Sequence, residues 1–258
     1  MKYFSFFNGK GGTGKTTLTI MFASFLAYYL GLRVRVIDME KPDYRIIAFR
    51  DSELEQLTTD GTPMNRYAQR NKMPAPSSYY PIENKGLLIQ EHKPQVVRDF
   101  VDKFKKEKDT LPYDVTLLDF PARFEAGIPV QVLAQENVLD GVYIPMTTEI
   151  QERRSACRTA IGMAQFGVDV KLLWNNVDSE IIHRSIPLNH AEAELAFLDK
   201  YNVHYSPVRI KSFMKASQGV ERPLFVRSTI CWPEKYVKMW CPELITLFEE
   251  IAKTLDLK

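Results

Sequence analysis

The chain has 258 residues, with 34 Lys and Arg against 32 Asp and Glu and 45% hydrophobic residues. This excludes the disordered, collagen-like and fibrous classes and describes a globular chain of one or two domains, with a single α/β domain the simplest reading. A net charge of +2 announces neither a nucleic-acid nor a membrane partner until its distribution is considered.

Lys2 to Phe7 is a short aromatic, β-rich run that ends in a glycine-rich turn, and Lys15 to Leu30 then has helical character closed by Gly31. Gly and Lys between Asn8 and Lys15 interrupt the apolar opening, which argues against a secretory signal. The stretch from Leu18 to Leu32 is about fifteen residues, short of a membrane span, and reads as a buried helix. Arg33 to Asp38 is a β-branched run that follows this helix, so the unit is βαβ with parallel strands. Thr58 to Pro81 holds four prolines, an Asp-Gly and adjacent tyrosines without a sustained period, and reads as a long surface excursion. Further strands are expected at Leu87 to Gln90, Val115 to Asp119, Gly141 to Pro145, Val170 to Trp174 and Val203 to Ile210. Helices are expected at Pro94 to Lys106, Glu149 to Gln165, Pro187 to Tyr201 and Pro242 to Leu255. The alternation implies a doubly wound α/β fold, a mostly parallel sheet with helices on both faces, in a single domain over residues 1–258. Cys157, Cys231 and Cys241 lie too far apart for a C-x-x-C pair or a regular disulfide framework, which points to a reduced, cytoplasmic setting.

Gly9-Lys10-Gly11-Gly12-Thr13-Gly14-Lys15-Thr16-Thr17 satisfies G-x-x-x-x-G-K-[ST] between a strand and a helix, the context that makes the motif a P-loop. Glycines let the backbone wrap a polyphosphate with its N–H groups inward, and the helix N-terminus adds a positive dipole end. Lys15 is then expected on the β- and γ-phosphates of ATP, the Thr16 hydroxyl on Mg²⁺ and Thr17 on the α-phosphate. Asp119, closing an apolar strand, is the Walker B candidate for the metal, with a turn-capping aspartate as the alternative. Asp38 closes the second strand at the same sheet edge, where it is placed to orient the attacking water.

The extra Lys10 in KGGTGKTT, the aspartate closing VIDME, the LLDFP strand and LLWNNVD resemble the deviant Walker A ATPases of the ParA and MinD group, closest to ParA-like partition and positioning ATPases. The resemblance runs from Phe6 to the segment PVRIKSFMKASQGVERPLFV. It implies that Lys10 crosses an ATP-sandwiched homodimer interface to the partner's phosphates, with Gly12 where the subunits approach. It also implies that Asp38 activates the hydrolytic water, that Asn175 reads adenine, with Asn176 the competing neighbour, and that Pro207 lies in the adenine-side loop. The chain departs from the family's pattern at Glu40, Lys41 and Pro42, and again at Pro121, Ala122 and Arg123 in place of a double proline, so gating near the γ-phosphate is expected to differ. The first strand begins at Lys2, which argues against operator-type autoregulation by an N-terminal domain.

Between Lys200 and Ile230 stand six basic residues, Lys200, Arg209, Lys211, Lys215, Arg222 and Arg227, against Glu221 alone, so this segment is +5 and the rest of the chain −3. Arg153, Arg154 and Arg158 form a second concentration. Such a face binds phosphates non-specifically and with strong salt dependence, which marks Arg209, Lys211, Lys215, Arg222 and Arg227 as DNA-contact candidates; the alternative is a solvated, partly paired charged face. The C-terminal helix carries four acids against two lysines, so it is expected to pack on the sheet with Trp232 and Trp240 as anchors, and no membrane partner is expected. The combined expectation is a slow ATPase that dimerises on ATP, holds non-specific DNA at the nucleoid and answers to a stimulating partner of ParB type. The competing readings are a metabolic P-loop enzyme of the dethiobiotin synthetase type and a nucleotide-gated scaffold in conjugation or transposition.

Overall fold

The computed structural model describes residues 1–40, 44–71, 73–85, 94–122, 127–177, 195–211 and 227–257. Seven strands form one sheet: β1 Lys2–Phe6, β2 Val34–Asp38, β3 Ile82–Asn84, β4 Val115–Asp119, β5 Gly141–Met146, β6 Val170–Val177 and β7 His204–Lys211. Their order is β3-β2-β4-β1-β5-β6-β7, and every pairing is parallel. The helices are α1 Lys15–Ser24, α2 Arg45–Thr58, α3 Pro63–Arg70, α4 Pro94–Thr110, α5 Gly127–Gln135, α6 Ile150–Ala164, α7 Glu234–Trp240 and α8 Glu243–Thr254.

Two apolar layers cover the sheet, as the near-continuous apolar strands require. One joins Tyr3, Leu118 and Trp174 to Phe104 of α4, Leu133 of α5 and Ala156 of α6. The other joins Phe4, Val36 and Leu173 to Phe22 of α1 and to Leu244, Phe248 and Ile251 of α8. The C-terminal helix thus spends its apolar stripe on the sheet, with Trp232 edge-on to Phe25 and packed on Phe248. Among the described residues no helix is long and apolar enough to cross a membrane.

Several elements differ from expectation. The helix expected to Leu30 runs to Ser24 and closes in a π turn over Phe25–Tyr29, with the Leu30 N–H on the Phe25 carbonyl at 3.0 Å, before Gly31 turns the chain at φ 70°. The strand expected at Leu87 to Gln90 lies outside the described residues, whereas β3 begins five residues earlier, at Ile82, and pairs that residue with Val36. Residues 187–194 of an expected helix are likewise outside them, and its remainder is a 3₁₀ helix at Ala196–Tyr201. The segment from Thr58 to Pro81 contains α3, where Thr62 accepts the Asn65 N–H at 3.2 Å with Pro63 in the first turn, and it buries Met64 and Tyr80.

Candidate nucleotide site

The order of the sheet brings the carboxyl ends of β1, β2, β4 and β6 to one edge, where open α/β folds place ligands. The parallel register sets Asp38 directly beside Asp119 on neighbouring strands, next to the loop that leaves β1.

Asn8 anchors that loop. Its buried side-chain amide donates to the Pro145 carbonyl at 2.8 Å, and its Oδ1 accepts the Lys10 N–H at 3.0 Å. The motif begins one residue later, so sequence reasoning passed over Asn8, although a polar residue closing an aromatic strand was a signal. Gly12 at φ 79° and Gly14 at φ 87° supply left-handed turns that residues with a Cβ rarely adopt. Lys10, Gly11 and Gly12 form an exposed tip, while Thr13 and Lys15 are buried behind it.

Lys15 folds back so that its Nζ donates to the Lys10 carbonyl at 3.0 Å. Burial lowers its pKa, against the pull of Asp119 and Glu40. Thr16 donates its hydroxyl to Asp119 Oδ2 at 2.8 Å, and Thr19 donates to Oδ1 at 3.3 Å. Asp119 is almost wholly buried, and desolvation pushes its carboxyl up to about 7 although the Thr16 hydroxyl opposes the shift. A desolvated lysine at a helix N-terminus fits an anion, and a buried carboxylate sharing a threonine hydroxyl fits a hard cation with oxygen ligands. Among the described residues no group of three or more His, Cys, Asp or Glu is placed to hold a metal ion.

Asp38 is fully buried, with Oδ1 accepting the Glu40 N–H at 3.1 Å and Oδ2 accepting the Ile46 N–H at 2.8 Å at the start of α2. Burial raises its pKa and these N–H donors oppose the rise. Bonds from the Glu40, Ile46 and Ile47 N–H groups still leave acceptor capacity on a carboxylate with about four lone-pair sites.

Asn175 reaches the loop from β6, its amide donating to the Thr13 carbonyl at 2.7 Å, while Asn176 is exposed at φ 56°. Pro207 sits exposed within β7, with Arg209 half-buried two residues on and Lys211 at the strand's end. Lys215 and Arg222 lie outside the described residues. Arg227 faces inward, Nη1 3.5 Å from Thr17 Oγ1 and its Cζ 4.1 Å over the Phe49 ring. On α6 the exposed pair is Arg154 and Arg158, whereas Arg153 is buried with Nη1 on the Thr148 carbonyl.

A family model for the CobQ/CobB/MinD/ParA nucleotide binding domain matches residues 4–123. The fold is similar to a chain of the MinC:MinD cell division protein complex of Aquifex aeolicus, with a TM-score of 0.61 at 17% identity over 98% of this chain and 96% of that one. It is equally similar to a McdA variant from Cyanothece solved with ATP, with a TM-score of 0.61 at 16% identity over 100% of this chain and 97% of that one. A curated relative, the dephospho-CoA kinase of Brucella abortus, is 28% identical over 172 residues, 67% of this chain and 78% of the relative. Residues 4–123 are thus similar to the CobQ/CobB/MinD/ParA nucleotide binding domain, and the whole chain has the fold of MinD and McdA.

Proposed function

We propose that this protein is a positioning ATPase that binds MgATP, dimerises face to face through the P-loop tip, holds non-specific DNA in that state and lets go after slow, partner-stimulated hydrolysis. The observation that carries this reading is the build of the loop around Lys10. Its backbone N–H is held by Asn8, while the residue itself stands at the exposed tip. A lysine anchored through its backbone N–H and open to solvent is suited to reach a second molecule's phosphates.

The chain's own groups account for the chemistry. The loop N–H groups and the α1 N-terminus hold the phosphate chain, and Lys15 leaves the Lys10 carbonyl for the stronger acceptor that a phosphate oxygen provides. Asp38 uses its remaining lone pairs to orient water in line with the γ-phosphate, while α2, started on its Oδ2, keeps the carboxylate in place. Lys10 and Lys15 stabilise charge on the transferring group. Thr16 and Asp119 would hold Mg²⁺, which supplies charge neutralisation between the terminal phosphates when bound.

Purified variants test the reading. Lys15→Ala is expected to abolish ATP binding, whereas Asp38→Ala keeps binding and dimerisation and loses turnover. Unchanged ATPase activity in either variant removes the assignment. Retention on random-sequence DNA in the presence of ATP, titrated with salt, tests the partner, and no retention at low salt removes DNA from the proposal.

The likeness to a dephospho-CoA kinase favours a second reading, transfer of the γ-phosphoryl group to a small-molecule hydroxyl. Dephospho-CoA added with ATP separates the two. A kinase forms ADP in step with phosphorylated acceptor, and a positioning ATPase forms ADP without it.

A further inference from the structure

We infer that Arg227 is a nucleotide-contacting residue, its guanidinium meeting the phosphate nearest the ribose of a bound nucleoside di- or triphosphate, and that it does not belong to an outward DNA-binding face. The inference rests on the nucleotide reading above and extends it by a residue lying more than two hundred positions from the P-loop.

Three relationships carry it. First, Arg227 Nη1 stands 3.5 Å from the hydroxyl of Thr17, in the first turn of α1, where free N–H groups and the helix dipole gather an anion. Second, the guanidinium is stacked at 4.1 Å on Phe49, and burial lowers its pKa even though Glu53 opposes the shift. A desolvated cation at that place gains from a phosphate what a solvated one would not. Glu53 shares the neighbouring cavity; its Oε2 is engaged by the Thr229 N–H at 2.7 Å and by the Thr229 hydroxyl, while its Oε1 is buried without a hydrogen bond among the described residues.

Third, the backbone after Arg227 is fixed from two helices. Ser24 of α1 donates to the Ser228 carbonyl, and Tyr28 donates to the Thr229 carbonyl at 2.8 Å. Arg50 of α2 donates to the Thr229 hydroxyl and carbonyl at 2.6 and 2.7 Å. The side chain is therefore aimed at the head of α1 by its surroundings. On the side of α2 and α3, a cavity of about 180 Å³ lined by Phe49, Glu53, Met64 and Arg227 adjoins the guanidinium. A residue that reads DNA needs the opposite, an open approach to a backbone outside the molecule.

Arg227→Gln in the full chain tests this by titration with ADP and with a non-hydrolysable ATP analogue. A contact to the phosphate common to both weakens both by the same factor, about tenfold for one charge-assisted contact. Arg227→Lys is expected to recover part of the loss, because the charge stays and the flat stack on Phe49 goes. Phe49→Leu, which leaves the cation in place, is expected to weaken both nucleotides about two- to fivefold. DNA retention of Arg227→Gln at saturating nucleotide is expected to equal that of the wild type. Wild-type affinity for both nucleotides in Arg227→Gln or Phe49→Leu overturns the inference, as does lost DNA retention with nucleotide affinity intact. Should the unaltered protein bind neither nucleotide, the nucleotide reading fails, and Arg227 with it.

Discussion

Asn175 closes on the P-loop at Gly14: a Cβ added at position 14 would stand 2.4 Å from the Asn175 side-chain nitrogen, the same nitrogen that holds the Thr13 carbonyl at 2.7 Å. Position 14 is thus restricted twice, by this contact and by its φ of 87°. Gly14→Ala is expected to displace Asn175, release the Thr13 carbonyl and abolish measurable nucleotide binding. In Gly14→Ala/Asn175→Ala the collision is gone but the left-handed backbone remains, so about 1 to 2 kcal/mol of destabilisation should persist in urea unfolding. Equal nucleotide affinity in Gly14→Ala and wild type would show that the contact does not shape the loop.

Thr16 and Asp119 share one hydrogen bond at 2.8 Å, and both are assigned to one cation. Thr16→Val and Asp119→Asn are each expected to remove the enhancement of nucleotide affinity by Mg²⁺, a loss of about tenfold or more at millimolar Mg²⁺. The double variant should lose little beyond either single one, because the groups act on the same ion and their effects are not additive. Independent, multiplying losses would separate the two residues from a common site.

Lys10 carries no part of nucleotide binding within its own subunit under the proposal. Lys10→Gln should therefore keep ATP affinity within about threefold of wild type, since its loss does not exceed that of a surface charge. It should fail to form the ATP-dependent dimer in light scattering coupled to size exclusion. A dimer that forms normally with Lys10→Gln would move the interface elsewhere.

The parts of this fold that could be read from the sequence are those where one pattern decides. Val115–Asp119 forms as expected because five consecutive buried residues end on a single charge, and the P-loop declares itself through glycine spacing between strand and helix. Helix α2 gave a weaker pattern: its hydrophobes Ile46, Ile47, Phe49, Leu54 and Leu57 are interrupted by charged residues, Ile46 alone among them is fully buried, and the other buried position is Glu53. Three-residue β3 is too short to alternate, and α3 lies in a segment whose prolines read as breakers although Pro63 begins the helix. Arg227 was legible as charge and not as direction, because its orientation is set by contacts from α1 and α2 that lie far away in sequence.

Cys231 is buried, and desolvation pushes its thiol up to about 12 against the Ser228 hydroxyl, which favours the thiolate. Its proton is therefore held more tightly in the folded chain than in the unfolded one, whose thiol titrates near 8.5. The resulting stability is present in full below about pH 8.5 and is lost as pH rises toward the folded value. Cys231→Ser should flatten that alkaline loss in unfolding midpoints. The native protein, with Cys157 and Cys241 buried as well, should resist thiol alkylation at pH 8 until denatured.

Arg35 offers the complementary test on the acid side. It is 1% exposed in the middle of β2, with Nη2 2.9 Å from Glu107 of α4 and donating to the Tyr3 hydroxyl at 3.1 Å, and Nε donating to the Thr116 hydroxyl at 3.2 Å. Lys85 meets the same Glu107 at 3.1 Å. Burial pushes the Glu107 carboxyl up, but Lys85 and Arg35 together outweigh it and hold the group below the ordinary carboxylate range. A folded pKa below the unfolded one gives stability that is complete above about pH 4.3 and disappears as pH falls through the folded value. Glu107→Gln should therefore show a shallower acid loss of stability than wild type between about pH 5 and pH 2. Arg35→Met leaves Glu107 with one partner and removes the donor to the Tyr3 and Thr116 hydroxyls, which keep the Phe104 carbonyl and Met1 Sδ as acceptors, and should cost about 3 kcal/mol in urea unfolding at pH 7. Parallel acid slopes for wild type and Glu107→Gln would show that this cluster, though buried, does not couple protonation to the fold.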